Sequence, residues 1–445
     1  MQQSVIDFTK GNITRQLLLF AAPMIAGNIF QQLYNLTDMV IVGRVLGREA
    51  MAAVGASAPL IFALLALIKG ISLGASIVIS QYHGQGCPDK VRLTADSLYL
   101  FMLLTGAGVS LLGILFSGRL MQWLGLPEEV LRPATEYLNI YLTGLTFIFA
   151  FNTLTGVLRG IGDALTPLRF ILFSALLNIA LDLLFVPLLG WGVRGAAWAT
   201  VIAQCCALTA ILHYVNRRRP QVALRPLRLR FDRETFGRSL RLGIPTGIQQ
   251  LILAAGNLVI LWLINGFGTD VIAGYAAAYR IELFVMIIPL NIGMAVTTFA
   301  AQNAGAGLYD RIRKGKAEAL KLTLIASFTI LLLLSGFGRP MMQLFSTDQA
   351  VVIAGIRYLF VLGLSFWLFG AMFVYSGVIR GLGNTLIPML ITLLSLWLLR
   401  IPAAALLSER IGETGIWLSA SFSWGIGLVF SIIVYRRFIK KNNEQ

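Results

Sequence analysis

Three acidic residues lie inside long apolar runs of the sequence: Asp38, Asp182 and Glu282. A carboxylate near the centre of a bilayer-spanning helix costs at least about 2.5 kcal/mol on insertion scales, so each needs a partner, a proton or a cavity. Asn178 stands one helical turn before Asp182, and residues four apart share a helix face, so the two can converge on one ion. Two neighbouring carboxylates in low dielectric cannot both ionise cheaply. They share a proton, or they bind a hard cation such as sodium through oxygen ligands, and either behaviour couples ion movement to work. The other reading open for Asp38 and Asp182 is that they bridge helices through hydrogen bonds. For Glu282 two readings also stand: a place in a substrate cavity, or an ion pair with Arg280, close in sequence, or Arg400, in a later apolar run.

The elements that must position these residues follow from composition. Of 445 residues, 57% are apolar and 13% charged, too little charge to solvate the surface of a soluble protein of this size. A span needs roughly 20 apolar residues. Runs of that length are predicted at 15–42, 50–79, 93–117, 134–158, 165–188, 194–215, 241–265, 271–300, 318–337, 352–379, 385–406 and 414–435. The expectation is an all-α polytopic membrane protein with twelve transmembrane helices in two pseudo-symmetric six-helix bundles. The N-terminal stretch MQQSVIDFTKGNITRQ has no short apolar core with a small-residue cleavage site, so the first apolar run is expected to persist as a helix.

A net charge of +16 would, in a soluble chain, point to nucleic acid. Its distribution points to topology instead. One set of alternate loops collects Lys10, Arg15, Lys90, Arg92, Arg159, Arg169, the arginines from Arg217 to Arg241, Arg311, Arg313, Lys314, Lys316, Lys321, Arg380, Arg436, Arg437, Lys440 and Lys441. The opposite set holds only Arg44, Arg48, Arg119, Arg132, Arg194, Arg339 and Arg410. The positive-inside rule then predicts both termini in the cytoplasm of a multi-pass inner-membrane protein and makes a nucleic-acid partner improbable. Asp38 and Asp182 fall on outward-running helices, Asp38 some 6 Å inside the outer face at about 1.5 Å per residue. Cys87, Cys205 and Cys206, with His83 and His213, form neither a disulfide framework nor a metal pattern. Without a ligand cluster, a paired nucleophile and base, or a nucleotide-binding motif, a membrane-embedded enzyme is a poor reading.

The basic, proline-containing stretch 216–240 divides the chain into an N-terminal lobe, 1–215, and a C-terminal lobe, 241–445. The lobes are related in sequence: GVLRGIGDALTP (156–167) matches GVIRGLGNTLIP (377–388) at an offset of 221 residues. The same offset brings Gln81, Gly84, Gly86, Asp89 and Arg92 onto Gln302, Gly305, Gly307, Asp310 and Arg313, and 222 brings Pro23 onto Pro245. An even number of spans per half lets both copies enter the membrane in one direction, with a cavity expected between the bundles. Asp38 and Asp182 fall on Val259 and Ala403 in the second half, so ion coupling is assigned to the first. The RGxG strings at 159–162 and 380–383 have no preceding strand and are expected to be tight turns. Met24, Met39, Met286 and Phe149 are candidates to line an adaptable cavity, because thioethers and aromatic faces accommodate varied apolar cations. Pro23, inside the first span, is expected to bend it.

An apolar helix with Pro23, then QQLYNLTDMVIVGRVLG (31–47), SQYHGQG (80–86) and VLRGIGD (157–163), in that order, resembles the multidrug and toxic compound extrusion (MATE) family over essentially the whole chain. Among its members the resemblance is to the DinF-like ones, with the acidic ion site in the N-terminal lobe. It implies a secondary antiporter that exports cationic or amphipathic compounds in exchange for H+ or Na+ by alternating access, with no other cofactor. Carried over residue by residue, the ion site comprises Asp38, Asn178, Asp182 and Thr200, with Asn152 and Tyr34 as additions. The glutamate on the seventh helix and the aspartate on the tenth that other members carry have no match here. A functional monomer in the lipid bilayer acting on small molecules is expected. The alternative within the wider superfamily is a lipid-linked saccharide flippase, which would line its cavity with cations for a pyrophosphate.

Overall fold

A computed structural model describes residues 5–224 and 229–443. Positions 225–228 of the basic linker lie outside the described residues, which are helical with no strand among them. In chain order the first helices are α1 (Ile13–Leu46), α2 (Arg48–Gly84), α3 (Pro88–Trp123), α4 (Glu128–Thr143), α5 (Leu145–Gly160), α6 (Leu165–Leu183) and α7 (Gly192–Arg218). The repeat follows as α8 (Arg233–Ile264), α9 (Thr269–Gly305), α10 (Tyr309–Gln343), α11 (Gln349–Gly381), α12 (Leu386–Leu393), α13 (Ile401–Ile411) and α14 (Glu413–Asn443). A π-helical turn, Leu184–Leu188, continues α6, and another, Leu394–Arg400, joins α12 to α13.

Among the described residues, eleven helices are long and apolar enough to cross a membrane. The twelfth span, expected as one helix over 134–158, is the pair α4 and α5, which bend by 51° at their junction. Gly144 stands at the break, and a Cβ there would meet the Val201 side chain at 2.5 Å. With 34 residues, α1 is about 50 Å long at about 1.5 Å per residue, well beyond the roughly 30 Å apolar core of a bilayer.

The chain divides into two compact units: an N-terminal unit of Met1–Ile6 with Ala22–Gly247, and a C-terminal unit of Asp7–Ala21 with Ile248–Gln445. The expected blocks 1–215, 216–240 and 241–445 do not coincide with these units, and 216–240 falls within the N-terminal one. The opening of α1 belongs to the C-terminal unit, and the opening of α8 to the N-terminal unit. Side-chain bonding supplies the reason. Phe8 is fully buried with its ring against Phe20 and Phe299 at 5.2 and 5.6 Å; its N–H donates to Gln302 Oε1, and its carbonyl accepts from Asn303 and Arg311. In the other unit, Arg238 of α8 donates to the Tyr82 hydroxyl at 2.6 Å and to Gln81 at 3.1 Å.

Within each unit one helix crossing is built by the repeat itself. A Cβ on Gly156 would meet the Ser72 carbonyl of α2 at 2.9 Å, and one on Gly377 would meet the Gly293 carbonyl of α9 at 2.5 Å. Small residues let backbones approach, which is how helices associate where lipid removes the hydrophobic driving force between them. Gly377→Ala is therefore expected to lower stability by about 1–3 kcal/mol through overpacking against backbone. Gly336→Ala in α10, with nothing within 4 Å of the new carbon, should be neutral or mildly stabilising. Thermal unfolding of the two purified variants beside wild type checks the pair.

The RGxG strings are turns, as expected. Gly162 and Gly383 take φ of +92° and +91°, a region that favours glycine. Just after each, a side chain caps the next helix: Asp163 Oδ1 accepts from the Thr166 N–H at 3.0 Å and Asn384 Oδ1 from the Ile387 N–H at 3.1 Å. Asp163 also pairs with Arg219 at 2.8 Å.

Candidate functional site

In the N-terminal unit, four helices bring polar groups to one place. Tyr34 and Asp38 stand four apart on α1, Tyr137 and Tyr141 four apart on α4, Asn178 and Asp182 four apart on α6, and Thr200 lies near the start of α7. The i, i+4 spacing puts each pair on one helix face. Asp182 is 0% exposed and Asn178 2%. Oriented to satisfy both neighbours, the Asn178 amide donates to Asp182 Oδ2 at 2.9 Å and accepts from the Thr200 N–H at 3.2 Å. The Thr200 hydroxyl donates to the Ala196 carbonyl at 3.2 Å. The Tyr34 hydroxyl approaches the Thr200 side chain and is within electrostatic reach of both carboxylates.

Asp38 and Asp182 act on each other electrostatically, so the two acids separated by most of the N-terminal half in sequence form one cluster. Each retains a buried oxygen without a protein donor, Oδ1 in both cases. A buried acceptor left unpaired costs about 1–3 kcal/mol, more when charged. Both oxygens are therefore free to take a proton or to ligate a hard cation, and the surrounding oxygens of Thr200 and Tyr34 suit either. Among the described residues no three His, Cys, Asp or Glu side chains converge as a metal centre.

The other candidates have contacts of their own. Asn152 is half-buried and donates its amide to the Ile148 carbonyl of its own helix at 2.8 Å. Met24 and Phe149 are buried in the packing of the N-terminal unit, while Met39 is 39% exposed. Met286 and Glu282 lie in the C-terminal unit, Met286 against its core. Glu282 accepts from the Tyr358 hydroxyl and feels the charge of Arg400, whereas Arg280 is exposed. Sequence reasoning passed over Tyr137 and Tyr141, whose rings stack at 6.4 Å; Tyr137 is in electrostatic reach of Asp38 and Asp182. The available signal was the YLNIYL string, two tyrosines one turn apart in an otherwise apolar run.

The MatE family model matches this chain twice, over residues 23–184 and 245–406. The chain belongs to the MatE family. The two matches sit 222 residues apart, one in each half, which restates the internal repeat independently. This MatE protein is 30% identical to the "Probable multidrug resistance protein YpnP" of Bacillus subtilis, over 97% of this chain and 96% of that one. It is 26% identical to the "Probable multidrug resistance protein NorM" of Thermotoga maritima, over 91% and 88% of the two chains. A solved outward-facing structure of a multidrug resistance MATE family transporter shares the fold, with a TM-score of 0.93 at 22% identity over 100% of this chain and 99% of that one. Asp38, Asn178 and Asp182 all lie in the first MatE match, and Glu282, Tyr358 and Arg400 in the second.

Proposed function

We propose that this MatE protein is a secondary antiporter that exports cationic or amphipathic toxic compounds by alternating access, driven by inward flow of protons. The observation that carries the reading is the pair of unpartnered buried oxygens, Asp38 Oδ1 and Asp182 Oδ1, in a cluster to which the described residues bring no cation. The names of the relatives support multidrug compounds as substrates. The basic excess of one set of loops supports a bacterial cytoplasmic membrane location with both termini inside. It works as a monomer, with the coupling ion as its one non-organic ligand.

In this reading the empty cluster carries two charges that repel, and loading one cation relieves the repulsion and draws α1 and α6 together through Asp38 and Asp182. Pro23 lacks an amide N–H and frees a carbonyl one turn earlier, so α1 is able to bend in response. Sodium is the second reading, favoured by the all-oxygen donor set. Efflux of ethidium from proteoliposomes tests both. An imposed pH gradient at zero sodium is expected to drive it, and a sodium gradient at constant pH is not. The opposite pattern assigns sodium, and no response to either gradient overturns ion coupling.

A further inference from the structure

The C-terminal unit carries a second buried polar cluster, built around Glu282 of α9. Glu282 is 5% exposed, and the Tyr358 hydroxyl of α11 donates to its Oε2. Tyr275, two turns earlier on α9, stacks on Trp417 of α14 at 5.6 Å with the rings 6° from parallel. Tyr358 meets both rings edge-on, at 5.2 and 4.8 Å. Tyr279 of α9 also feels the Glu282 charge. The cationic group within electrostatic reach of this carboxylate is Arg400, the last residue of the π turn Leu394–Arg400. Arg400 is 9% exposed, and its Nε is buried without a hydrogen-bond partner. A guanidinium so enclosed in a membrane helix is expensive unless a counter-charge lies near it, and Glu282 is an acid within its electrostatic reach.

The repeat relates this cluster to the one holding Asp38 and Asp182. At the offset of 221, Tyr358 falls on Tyr137, which faces Asp38; at the 222 separating the two family matches, Arg400 falls on Asn178, which binds Asp182. A π turn adjoins each cluster, Leu184–Leu188 after Asp182 and Leu394–Arg400 ending on the arginine, and such turns recur at functional sites. What differs is the charge count. The N-terminal cluster holds two carboxylates and contributes no cation, whereas the C-terminal cluster holds one carboxylate and a guanidinium.

We propose that Arg400 is a tethered counter-cation: it takes, in the C-terminal unit, the electrostatic role that the exchanged ion fills in the N-terminal unit, so that one unit loads ions and the other is internally neutral. The proposal rests on the ion-coupled reading of Asp38 and Asp182. Arg400 is thus a positioning residue that limits the number of ions exchanged per substrate. Tyr358 holds the Glu282 carboxylate by its hydrogen bond, and its own ring is held by Tyr275 and Trp417.

Infrared spectroscopy of the purified full-length protein, in an Asp38→Asn/Asp182→Asn background, isolates Glu282. With Arg400 present, no protonated-carboxyl band that Glu282→Gln removes is expected at neutral pH. Adding Arg400→Gln should make such a band appear, because the carboxyl then takes a proton for want of a counter-charge. A Glu282 band with Arg400 in place, or none after its removal, overturns the proposal. Should Arg400→Gln alone fail to fold, Glu282→Gln/Arg400→Gln removes both charges together. Reconstituted in proteoliposomes with ethidium, that variant is expected to keep the wild-type ion-to-substrate ratio; loss of one ion per ethidium would show that Glu282 itself exchanges. Failure of the antiporter reading looks different: Asp38→Asn would then retain ion-driven efflux whatever stands at 282 and 400.

Discussion

Asp38→Asn is expected to reduce ion-driven ethidium efflux to the rate of protein-free vesicles while the variant still inserts and purifies as a monodisperse protein. Asparagine matches aspartate in size and keeps an acceptor oxygen, so packing within the N-terminal unit is preserved. What is lost is the negative charge that makes an entering cation necessary. Asp182→Asn should act in the same direction, although its Oδ2 accepts from Asn178 and its loss leaves that amide without its charged partner. Because the two acids act as one cluster, the double variant should be no more impaired than either single one, the non-additivity typical of residues in one network. Efflux measured side by side under one imposed gradient settles the matter, and full activity in Asp38→Asn sinks the assignment.

The second large effect concerns stability. Asp163 is fully buried, caps α6 and pairs with Arg219, whose side chain is 12% exposed. Truncation to alanine removes a cap worth about 0.5–2 kcal/mol and takes the carboxylate from a largely buried guanidinium, and breaking such a pair costs about 3–5 kcal/mol. The expected total is about 3–5 kcal/mol, since Arg219 can regain some hydration. The repeat supplies the control, because Asn384 holds the matching place and caps α12 without an ion pair. Asp163→Asn should therefore keep the cap, lose the pair and fall between wild type and Asp163→Ala in thermal unfolding. Equal midpoints for the two variants would mean that the ion pair rather than the cap carries the effect.

Much of this architecture was legible because the bilayer forces long apolar runs, and their positions matched α1 to α14 closely. The break between α4 and α5 was not, since Gly144 lies in a run whose hydropathy is continuous and only the packing of Val201 reveals the need for a glycine there. The exchanged openings of α1 and α8 were hidden for a related reason: the bonds that assign them join residues hundreds of positions apart, such as Phe8 with Asn303 and Arg311. At the site, the acids stood out by their cost in an apolar run. Tyr137 and Tyr141 did not, because tyrosine is ordinary in membrane helices and nothing in spacing tells a ring beside a carboxylate from one in lipid. Gly156 and Gly377 were visible only as neighbours of a turn motif, whereas the structure gives them the helix crossing of each unit.

The exchange of helix openings bears on how the protein is made. A ribosome delivers Phe8 long before its partners, and Arg311 follows 303 residues later. At about 5–20 residues per second, that leaves the N-terminal tail waiting roughly 15–60 s beside the growing chain. The early half likewise stays incomplete until the α8 opening emerges. Neither half is then a finished folding unit when its own last span is inserted, and a nascent chain halted at the basic linker should present an exposed tail and an uncovered helix face to proteases.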